Sequence, residues 1–180
     1  GVCLIYFGSV VTSYSVFQEE GIVRSGVIPM GGDDISQEVA FAFDTSFEEA
    51  KRLKEDYGYA KPSAIMNEEF VEFVQATNKD SHQLSSLQLS EVIEEAYLEI
   101  LSTLKNELKH HNLEANIKSG FVLCGGGAQA LGCEELVREF FTRRVKIGTV
   151  QRDRVSGLET ILMDYRFASS IGLLLHQEEL

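Results

Sequence analysis

The sequence predicts a mixed α/β fold, and three observations support that prediction. Three segments rich in apolar and β-branched residues follow one another with short connections between residues 2 and 28. A long segment, 89–111, repeats its apolar residues with the period of an amphipathic helix. Later, an apolar segment at 121–124 is followed directly by three glycines and then by a second helical pattern. Strands and helices therefore both contribute, and neither class accounts for the chain alone.

The first three segments are predicted to form an antiparallel meander. Residues 2–7 are continuously apolar, which is typical of a strand covered on both faces. Residues 10–17 are rich in β-branched and aromatic types. A polar turn at 18–21 leads to a third strand, Ile22–Ile28. Because the connections are this short, neighbouring strands must run antiparallel.

Two short helices are predicted next. Asp34 with Gln37 three residues later suits a helix start. Ser46 with Glu49 forms a second capping box, and that helix is expected to end at Gly58.

A hairpin is then predicted from two short apolar segments, 64–66 and 70–74, on either side of a turn at 67–68. Residues 75–83 are polar, and we predict a loop there.

The strongest periodic pattern in the sequence predicts a helix over 89–111. Ser85 and Gln88 can form its capping box. Acidic residues cluster near its start and basic residues near its end, which suits the helix dipole. Adjacent His110 and His111 point in different directions on a helix, so a solvated helix end explains them better than a metal site. The residues that share its apolar face are Leu89, Val92, Ile93, Ala96, Ile100, Leu104 and Leu108.

The last third of the chain alternates short strands and helices. The pattern predicts a strand at 121–124, a helix at 128–141, a strand at 145–147, a polar loop at 151–159 and a closing helix at 167–176.

The charge of the chain disfavours some classes of partner for the surface as a whole. Its 180 residues include 16 Lys and Arg against 28 Asp and Glu, which gives a formal net charge of −12. Nucleic acid and anionic lipid are therefore disfavoured, although this does not exclude a local basic groove. No run of about 20 apolar residues occurs. We interpret Cys3, Cys124 and Cys133 as buried, reduced thiols because they lie in apolar segments.

No catalytic residue and no metal site can be assigned from the residues. Their spacing assembles neither a Ser/His/Asp nor a Cys/His triad. Asp33 and Asp34 could be taken for a metal pair, but helix capping explains them more simply.

The strand followed by Gly125, Gly126 and Gly127 is the most informative unit for binding. Glycines let the backbone approach a ligand closely, and free N–H groups at the start of a following helix favour phosphate. A tight strand-to-helix crossover would use the same residues, and that alternative stays open. A dinucleotide-binding fingerprint ending at Ala130 is disfavoured, because it requires an acidic residue about 20 positions later, where Lys146 stands.

Six short segments carry a resemblance to a known protein family. They are Gly1–Leu4, Val27–Pro29 with Gly32, Glu38–Phe43, Leu89–Ile93, Val122–Gln129 and Ile171–Leu174. In this order and spacing they resemble the second half of the actin-like ATPase fold and, within that superfamily, the FtsA family of bacterial cell-division proteins. The resemblance covers nearly the whole chain.

The resemblance implies an actin-like (ribonuclease H-like) second half made of two subdomains. Residues 1–32 and 115–180 would form subdomain IIA, a mixed sheet with helices. Residues 33–114 would form the smaller, inserted subdomain IIB. Because the chain opens without Met inside an apolar segment, we interpret it as a piece of a longer protein. The family's amphipathic membrane helix is also absent from its end, which has no Trp and no basic apolar tail.

The resemblance implies a scaffold that links the FtsZ ring to the cytoplasmic membrane and recruits other division proteins. It would act in the cytoplasm, at the inner face of the membrane at the division site, and self-association into filaments is a further expectation. An actin-like subunit that hydrolyses ATP is one alternative, and another actin-like assembly protein, such as a pilus-assembly relative, is a second. The segments around 92–93 and 171–172 favour the division family.

The turn between the first two strands departs from the family pattern. Relatives place an acidic residue and several glycines there, whereas Tyr6 replaces the acid here and Gly8 is the one glycine kept. A tyrosine cannot orient magnesium-bound water as a carboxylate can. The resemblance therefore implies ATP contacts, through Gly8, Gly125, Gly126 and Gly127, that are weak or absent. Magnesium binding and detectable ATP hydrolysis by this chain are not expected.

The resemblance further implies that subdomain IIB binds the C-terminal tail of FtsZ. Such a peptide is short, partly acidic and apolar at its end, so its site needs apolar pockets beside positive charge. We predict a groove between the loop 75–88 and the helix 89–111. Lys79, His82 when protonated, and packing against Tyr97 would hold the peptide. An ordinary solvated loop and helix face stays the alternative.

Overall fold

A mixed five-stranded sheet is the centre of the fold. The computed structural model describes residues 1–19, 21–149 and 164–177. The strands are β1 (Val2–Phe7), β2 (Thr12–Gln18), β3 (Gly21–Ile28), β4 (Phe70–Val74), β5 (Ser81–Ser85), β6 (Gly120–Cys124) and β7 (Val145–Ile147). The helices are α1 (Gly32–Ala42), α2 (Phe47–Tyr57), α3 (Ser86–His110), α4 (Cys133–Phe141) and α5 (Ala168–Gln177).

The sheet joins the start of the chain to its last third. Its strand order is β3-β2-β1-β6-β7. β1 pairs antiparallel with β2 and parallel with β6, and β2 pairs antiparallel with β3. The predicted meander is confirmed, and β1 pairs with the strand predicted at 121–124.

The core explains why β1 is apolar at every position. Cys3, Ile5 and Phe7 are buried on one face, while the residues between them are half-buried on the other. A strand at the centre of a sheet that is covered on both faces tolerates few polar side chains. The buried apolar residues form one cluster that runs from this sheet through α1, α2 and α3.

The long helix α3 confirms the prediction for 89–111 and extends it. The Gln88 N–H donates to Ser85 Oγ at 3.2 Å, and the Ser85 N–H donates to Gln88 Oε1 at 3.3 Å, so the predicted capping box is present. Its predicted apolar face is buried or half-buried. Tyr97 and Leu101 belong to the same buried face, although the sequence analysis did not place them there.

The predicted hairpin forms with a different partner strand. β4 pairs with β5, and not with 64–66, which lies next to a short 3-10 helix at Pro62–Ala64. The chain reverses at Lys79, which has a φ of 62°, and the Asp80 N–H donates to Asn78 Oδ1 at 3.0 Å. Asn and Asp side chains favour such turns. The prediction of a loop over 75–83 is therefore wrong for its last residues.

Two predicted helix starts are also corrected. α1 begins at Gly32, and the Asp34 carboxylate accepts a hydrogen bond from the Gly31 N–H at 2.7 Å instead of capping a later start. The helix predicted over 128–141 is divided into a 3-10 helix, Gly126–Gln129, and α4. Gly132, with a φ of 83°, separates the two, because that backbone conformation ends a right-handed helix.

The closing helix α5 confirms the prediction for 167–176, with bounds one residue later. The predicted loop at 151–159 lies outside the described residues. None of the helices in the described ranges combines the length and the apolar character needed to cross a bilayer.

The three cysteine thiols are expected to react slowly in the folded protein. All three are buried, and burial raises the pKa of Cys3 and of Cys133 to about 12 and that of Cys124 to about 11. Because the thiolate is the reactive form, a disulfide reagent at about pH 8 should label none of them within minutes. All three should react quickly in denaturant, where the pKa values return to their ordinary range. Rapid labelling of the native protein would contradict this burial.

Candidate functional site

A cleft of about 550 Å³ lies where β1 and β6 end. Turns that follow adjacent strands supply one wall, and α1, α2 and α3 supply the rest, so the cleft sits at the position where open α/β sheets usually bind ligands. Of the glycines predicted to bind a cofactor, Gly8, Gly126 and Gly127 line it. Tyr97 also lines it, whereas Lys79 and His82 do not.

The three consecutive glycines have different roles. Gly125 has a φ of 87°, and a Cβ there would lie 2.4 Å from the Phe7 carbonyl oxygen. A Cβ on Gly127 would lie 2.7 Å from Phe7 Cβ. Both glycines are therefore needed for packing against β1. Gly126 is exposed, and its Cβ would meet a single neighbour, Arg166 Cγ at 3.9 Å, so this glycine leaves space over the cleft.

An ordered polar cluster borders Gly126. Asp164 accepts hydrogen bonds from Gln129 Nε2 at 2.7 Å and from Arg166 Nε at 2.8 Å and Nη2 at 2.6 Å. The guanidinium hydrogen bonds lower the pKa of the Asp164 carboxyl. The sequence did not predict this cluster, because Gln129 lies 35 positions from Asp164 and the three residues follow no motif. Its effect is to hold the planar Arg166 side chain at the edge of the cleft, with its charge already paired.

The β1–β2 turn is closed by its own hydrogen bonds. The Gly8 N–H donates to the Val11 carbonyl at 3.1 Å. At the start of α1, the Gly32 N–H donates to the Gly8 carbonyl at 2.9 Å, and the Asp33 N–H donates to the Ser9 carbonyl at 2.7 Å. Backbone N–H groups at such a position are the usual donors to phosphate, and the protein itself occupies these three, whereas within the described residues the N–H groups of Ser9, Val10 and Val11 make no backbone hydrogen bond.

Lys54 is one of the cations that line the cleft, and it contacts the start of α1. Its Nζ donates to the Gly32 carbonyl at 2.5 Å. Burial lowers the pKa of the Lys54 amine, with neighbouring Glu55 and Asp33 opposing that shift. Lys54 therefore supports the start of α1 as well as facing the cleft.

Tyr97 is a core residue that joins α3 to the glycine turn. It is 3% exposed, its hydroxyl donates to the Gly127 carbonyl at 2.8 Å, and its ring packs edge-on against Phe7 at 5.6 Å. Burial raises its pKa well above the ordinary value. A side chain this buried cannot pack against a peptide at the surface, so the structure contradicts the predicted partner role of Tyr97.

Lys79 and His82 lie on the β4–β5 hairpin, away from the cleft. Both are exposed, and the His82 ring lies 6.1 Å from that of Phe73. The structure thus brings these two residues together on one hairpin and separates them from Tyr97.

The family model for "Cell division protein FtsA" matches residues 3–172 of this chain. The chain belongs to the FtsA cell-division family. It is 30% identical to cell division protein FtsA of Pseudomonas aeruginosa strain PAO1 over 176 residues, covering 98% of this chain and 42% of the relative. It is 27% identical to FtsA of Escherichia coli strain K12 over 186 residues, covering 99% of this chain and 44% of the relative. The chain spans less than half the length of these relatives.

Solved structures show that this FtsA-family chain has an actin-like fold. MreB5 of Spiroplasma citri bound to ADP matches with a TM-score of 0.78 at 16% identity, over 99% of this chain and 54% of that one. A PilM–PilN type IV pilus biogenesis complex matches with a TM-score of 0.69 at 16% identity, over 97% and 45%. A MamK double helical filament matches with a TM-score of 0.59 at 15% identity, over 83% and 50%.

The two ends of the cleft of this FtsA-family chain differ in the groups that line them. Gly126, Gln129 and Arg166 leave open space and polar groups at one end. Gly8, Ser9, Gly32 and Asp33 line the opposite end, where the Gly8, Gly32 and Asp33 N–H groups already donate to carbonyls of the protein. Within the described residues, no group of three or more His, Cys, Asp or Glu side chains is placed to hold a metal ion.

Proposed function

We propose that this chain is part of a division scaffold that links FtsZ to the cytoplasmic membrane and recruits other division proteins. The family match over residues 3–172 carries the proposal. The resemblance leads us to expect an acidic residue at the end of β1, where this chain has Tyr6, and this favours a scaffold over an enzyme that turns over ATP. The scaffold would act at the inner face of the membrane at the division site. Self-association into filaments is part of the proposal, and the MamK filament among the structural neighbours supports it.

The proposal assigns two subdomains to the chain. Residues 1–32 and 115–180 form subdomain IIA, which contains the five-stranded sheet, and residues 33–114 form subdomain IIB. The cleft lies between elements of both. The MreB5 neighbour is bound to ADP, and we assign the cleft of this chain to a ligand related to an adenine nucleotide. The glycines that would contact this ligand are Gly8, Gly126 and Gly127. Gly125 packs closely against Phe7 of β1.

The β4–β5 hairpin is the proposed docking surface for the FtsZ tail. Phe70 and Val74 expose 68% and 48% of their surface on the side of β4 that faces away from the core. Lys79 lies in the adjoining turn and His82 on the paired strand. Two exposed apolar side chains near positive charge, with Glu72 between them on the same face, suit a short peptide that carries both acidic and apolar residues.

Titration of the cognate FtsZ tail peptide at low salt tests this surface. We expect Lys79→Glu to weaken binding by roughly three- to tenfold, because it reverses a charge at an exposed site. Phe70→Ala should weaken it by about tenfold, because it removes the larger of the two exposed apolar side chains. Both changes should leave the thermal midpoint nearly unchanged, since neither side chain is buried. Binding of the wild-type chain should also weaken as salt is raised.

Lys118→Glu is the matched control, because Lys118 is another exposed lysine, placed before β6 and outside the hairpin. It changes the net charge by the same amount and should leave binding within about twofold of wild type. Equal loss of affinity in Lys79→Glu and Lys118→Glu would show that only total charge matters. Full binding by both Lys79→Glu and Phe70→Ala would place the peptide on another surface.

A further inference from the structure

We propose that a basic patch at the β7 edge of the sheet lies against the anionic headgroup surface of a lipid bilayer. The patch consists of Arg138, Arg143, Arg144 and Lys146, which line one surface cavity of about 730 Å³. The inference rests on the proposed location of the scaffold at the inner face of the membrane. It goes beyond that function, because it assigns a membrane contact to the folded chain itself.

The patch is positive although the chain as a whole carries a formal net charge of −12. Four of the 16 Lys and Arg residues fall within the nine residues 138–146. Among the described residues that line the cavity, Glu139 is the one carboxylate, and it accepts a hydrogen bond from Lys61 Nζ at 2.5 Å. Charges are screened over about 10 Å at 0.1 M salt, so a surface that touches the patch interacts with these cations and little with distant carboxylates.

The four side chains of the patch are exposed, and their backbone is ordered. Arg138 forms an ion pair with Glu134, but half of its side chain remains exposed. The Arg143 N–H donates to the Arg138 carbonyl at 3.4 Å, and the Phe121 N–H donates to the Arg144 carbonyl at 2.8 Å. Because the backbone is already held by these hydrogen bonds, binding would not have to order it.

The positive sign of the patch is not explained by its place at the edge of the sheet. β7 is the outermost strand, and charged side chains on an edge strand discourage pairing with another sheet. That role requires charge, and either sign serves it. In a chain of net negative charge, carboxylates would give the same protection and would add to the repulsion between copies. Attraction to a negatively charged partner accounts for the sign.

The residues that line the cavity favour a bilayer surface over a peptide or a nucleic acid. Among the described residues, Val145 is the one apolar side chain there, and it is buried. Peptide sites usually combine charge with apolar pockets, and single-stranded nucleic acids stack on exposed aromatic rings. No aromatic residue of the described ranges lines this cavity. Anionic headgroups require only cations at the surface, so the contact would be electrostatic, reversible and sensitive to salt.

Cosedimentation of the 180-residue chain with lipid vesicles tests the proposal. One set of vesicles contains equal parts of phosphatidylglycerol and phosphatidylcholine, and the other contains phosphatidylcholine alone. At about 0.1 M salt we expect binding to the anionic vesicles to be tighter by about tenfold or more, since each basic residue near such a surface contributes roughly fivefold. Most of this binding should be lost at about 1 M salt, where screening acts over about 3 Å.

A charge reversal within the patch identifies the surface that binds. Arg143→Glu should weaken binding to the anionic vesicles by about tenfold or more, because it removes a positive charge and adds a negative one. Lys109→Glu is the matched control. Lys109 is exposed at the end of α3, beside β3 at the opposite edge of the sheet, where Arg24 Nη2 lies 2.7 Å from His111 Nε2. It should keep binding within about twofold of wild type.

Three results would overturn the proposal: equal binding to the two kinds of vesicle, no binding to either, or equal loss of binding in Arg143→Glu and Lys109→Glu. Binding to polyglutamate that requires Arg143, without binding to vesicles, would also overturn it and would assign the patch to an acidic protein segment. Failure with vesicles leaves the proposed FtsZ contact standing, because the peptide titration reads the β4–β5 hairpin, which shares no residue with the patch. Failure of the peptide titration with normal vesicle binding would count against the hairpin alone.

Discussion

Gly125→Ala should destabilise the folded chain by about 3 kcal/mol or more, a large share of the stability of a domain of this size. Two costs combine at this position. The φ of 87° is strained for alanine, and the new Cβ would lie 2.4 Å from the Phe7 carbonyl oxygen and 2.9 Å from its carbonyl carbon. Because these are backbone atoms of the central strand β1, relief requires β1 and β6 to move apart. Chemical denaturation followed by circular dichroism measures the loss.

Gly21→Ala is the matched control for this change. Gly21 also has a positive φ, 119°, but a Cβ there would have no neighbour within 4 Å. Gly21→Ala therefore adds backbone strain without a collision, and it should lower the free energy of unfolding by about 1 kcal/mol. The excess loss in Gly125→Ala then measures the collision with Phe7. Equal losses in the two variants would mean that β1 and β6 tolerate separation, and that the close contact at Gly125 does not contribute to stability.

The contrast between Gly125 and Gly126 shows what a glycine run alone can predict. The sequence indicated correctly that a strand ends there and that the backbone passes close to something. It treated all three glycines as equivalent ligand contacts, because a sequence carries no information on which side of the turn a Cβ would point. In the structure an added Cβ on Gly126 would point into open space, whereas one on Gly125 or Gly127 would collide with Phe7. The crossover and the ligand-binding interpretations therefore apply to different residues of the same turn.

Local signals were sufficient where the structure is determined by neighbours in sequence. The capping box at Ser85 and the apolar run of β1 are examples, because helix caps and buried strands depend on residues a few positions apart. The partner strand of β4 was predicted wrongly, because the prediction used only the apolar character of short segments. An apolar triplet at 64–66 looked like a strand, whereas the real partner, β5, is polar over its first three residues because it is exposed there. The cluster around Asp164 joins residues 35 positions apart, which no local pattern predicts.

Tyr97→Ala should lower the free energy of unfolding by about 3–5 kcal/mol, because it removes a buried aromatic ring from the contact between α3 and the glycine turn. Tyr97→Phe should cost about 1–2 kcal/mol, since it keeps the ring and removes only the hydroxyl that donates to the Gly127 carbonyl. Periodicity could have placed Tyr97 correctly. It lies four residues after Ile93 and four before Leu101, which puts it on the buried face of α3. Denaturant titrations of the two variants give both values.

The pH dependence of stability distinguishes the hydroxyl from the ring. Burial raises the pKa of Tyr97 well above its ordinary value of 10.0, so the unfolded chain loses this proton at a lower pH than the folded chain does. The stability that this group contributes is complete below pH 10 and falls as the pH rises further. The buried cysteines act in the same direction, so the quantity to measure is the difference between wild type and Tyr97→Phe. That difference should shrink above about pH 10, because only the wild type has the hydroxyl to ionise. A difference that stays constant with pH would mean that the Tyr97 hydroxyl reaches solvent, and that α3 and the glycine turn are not joined by a buried hydrogen bond.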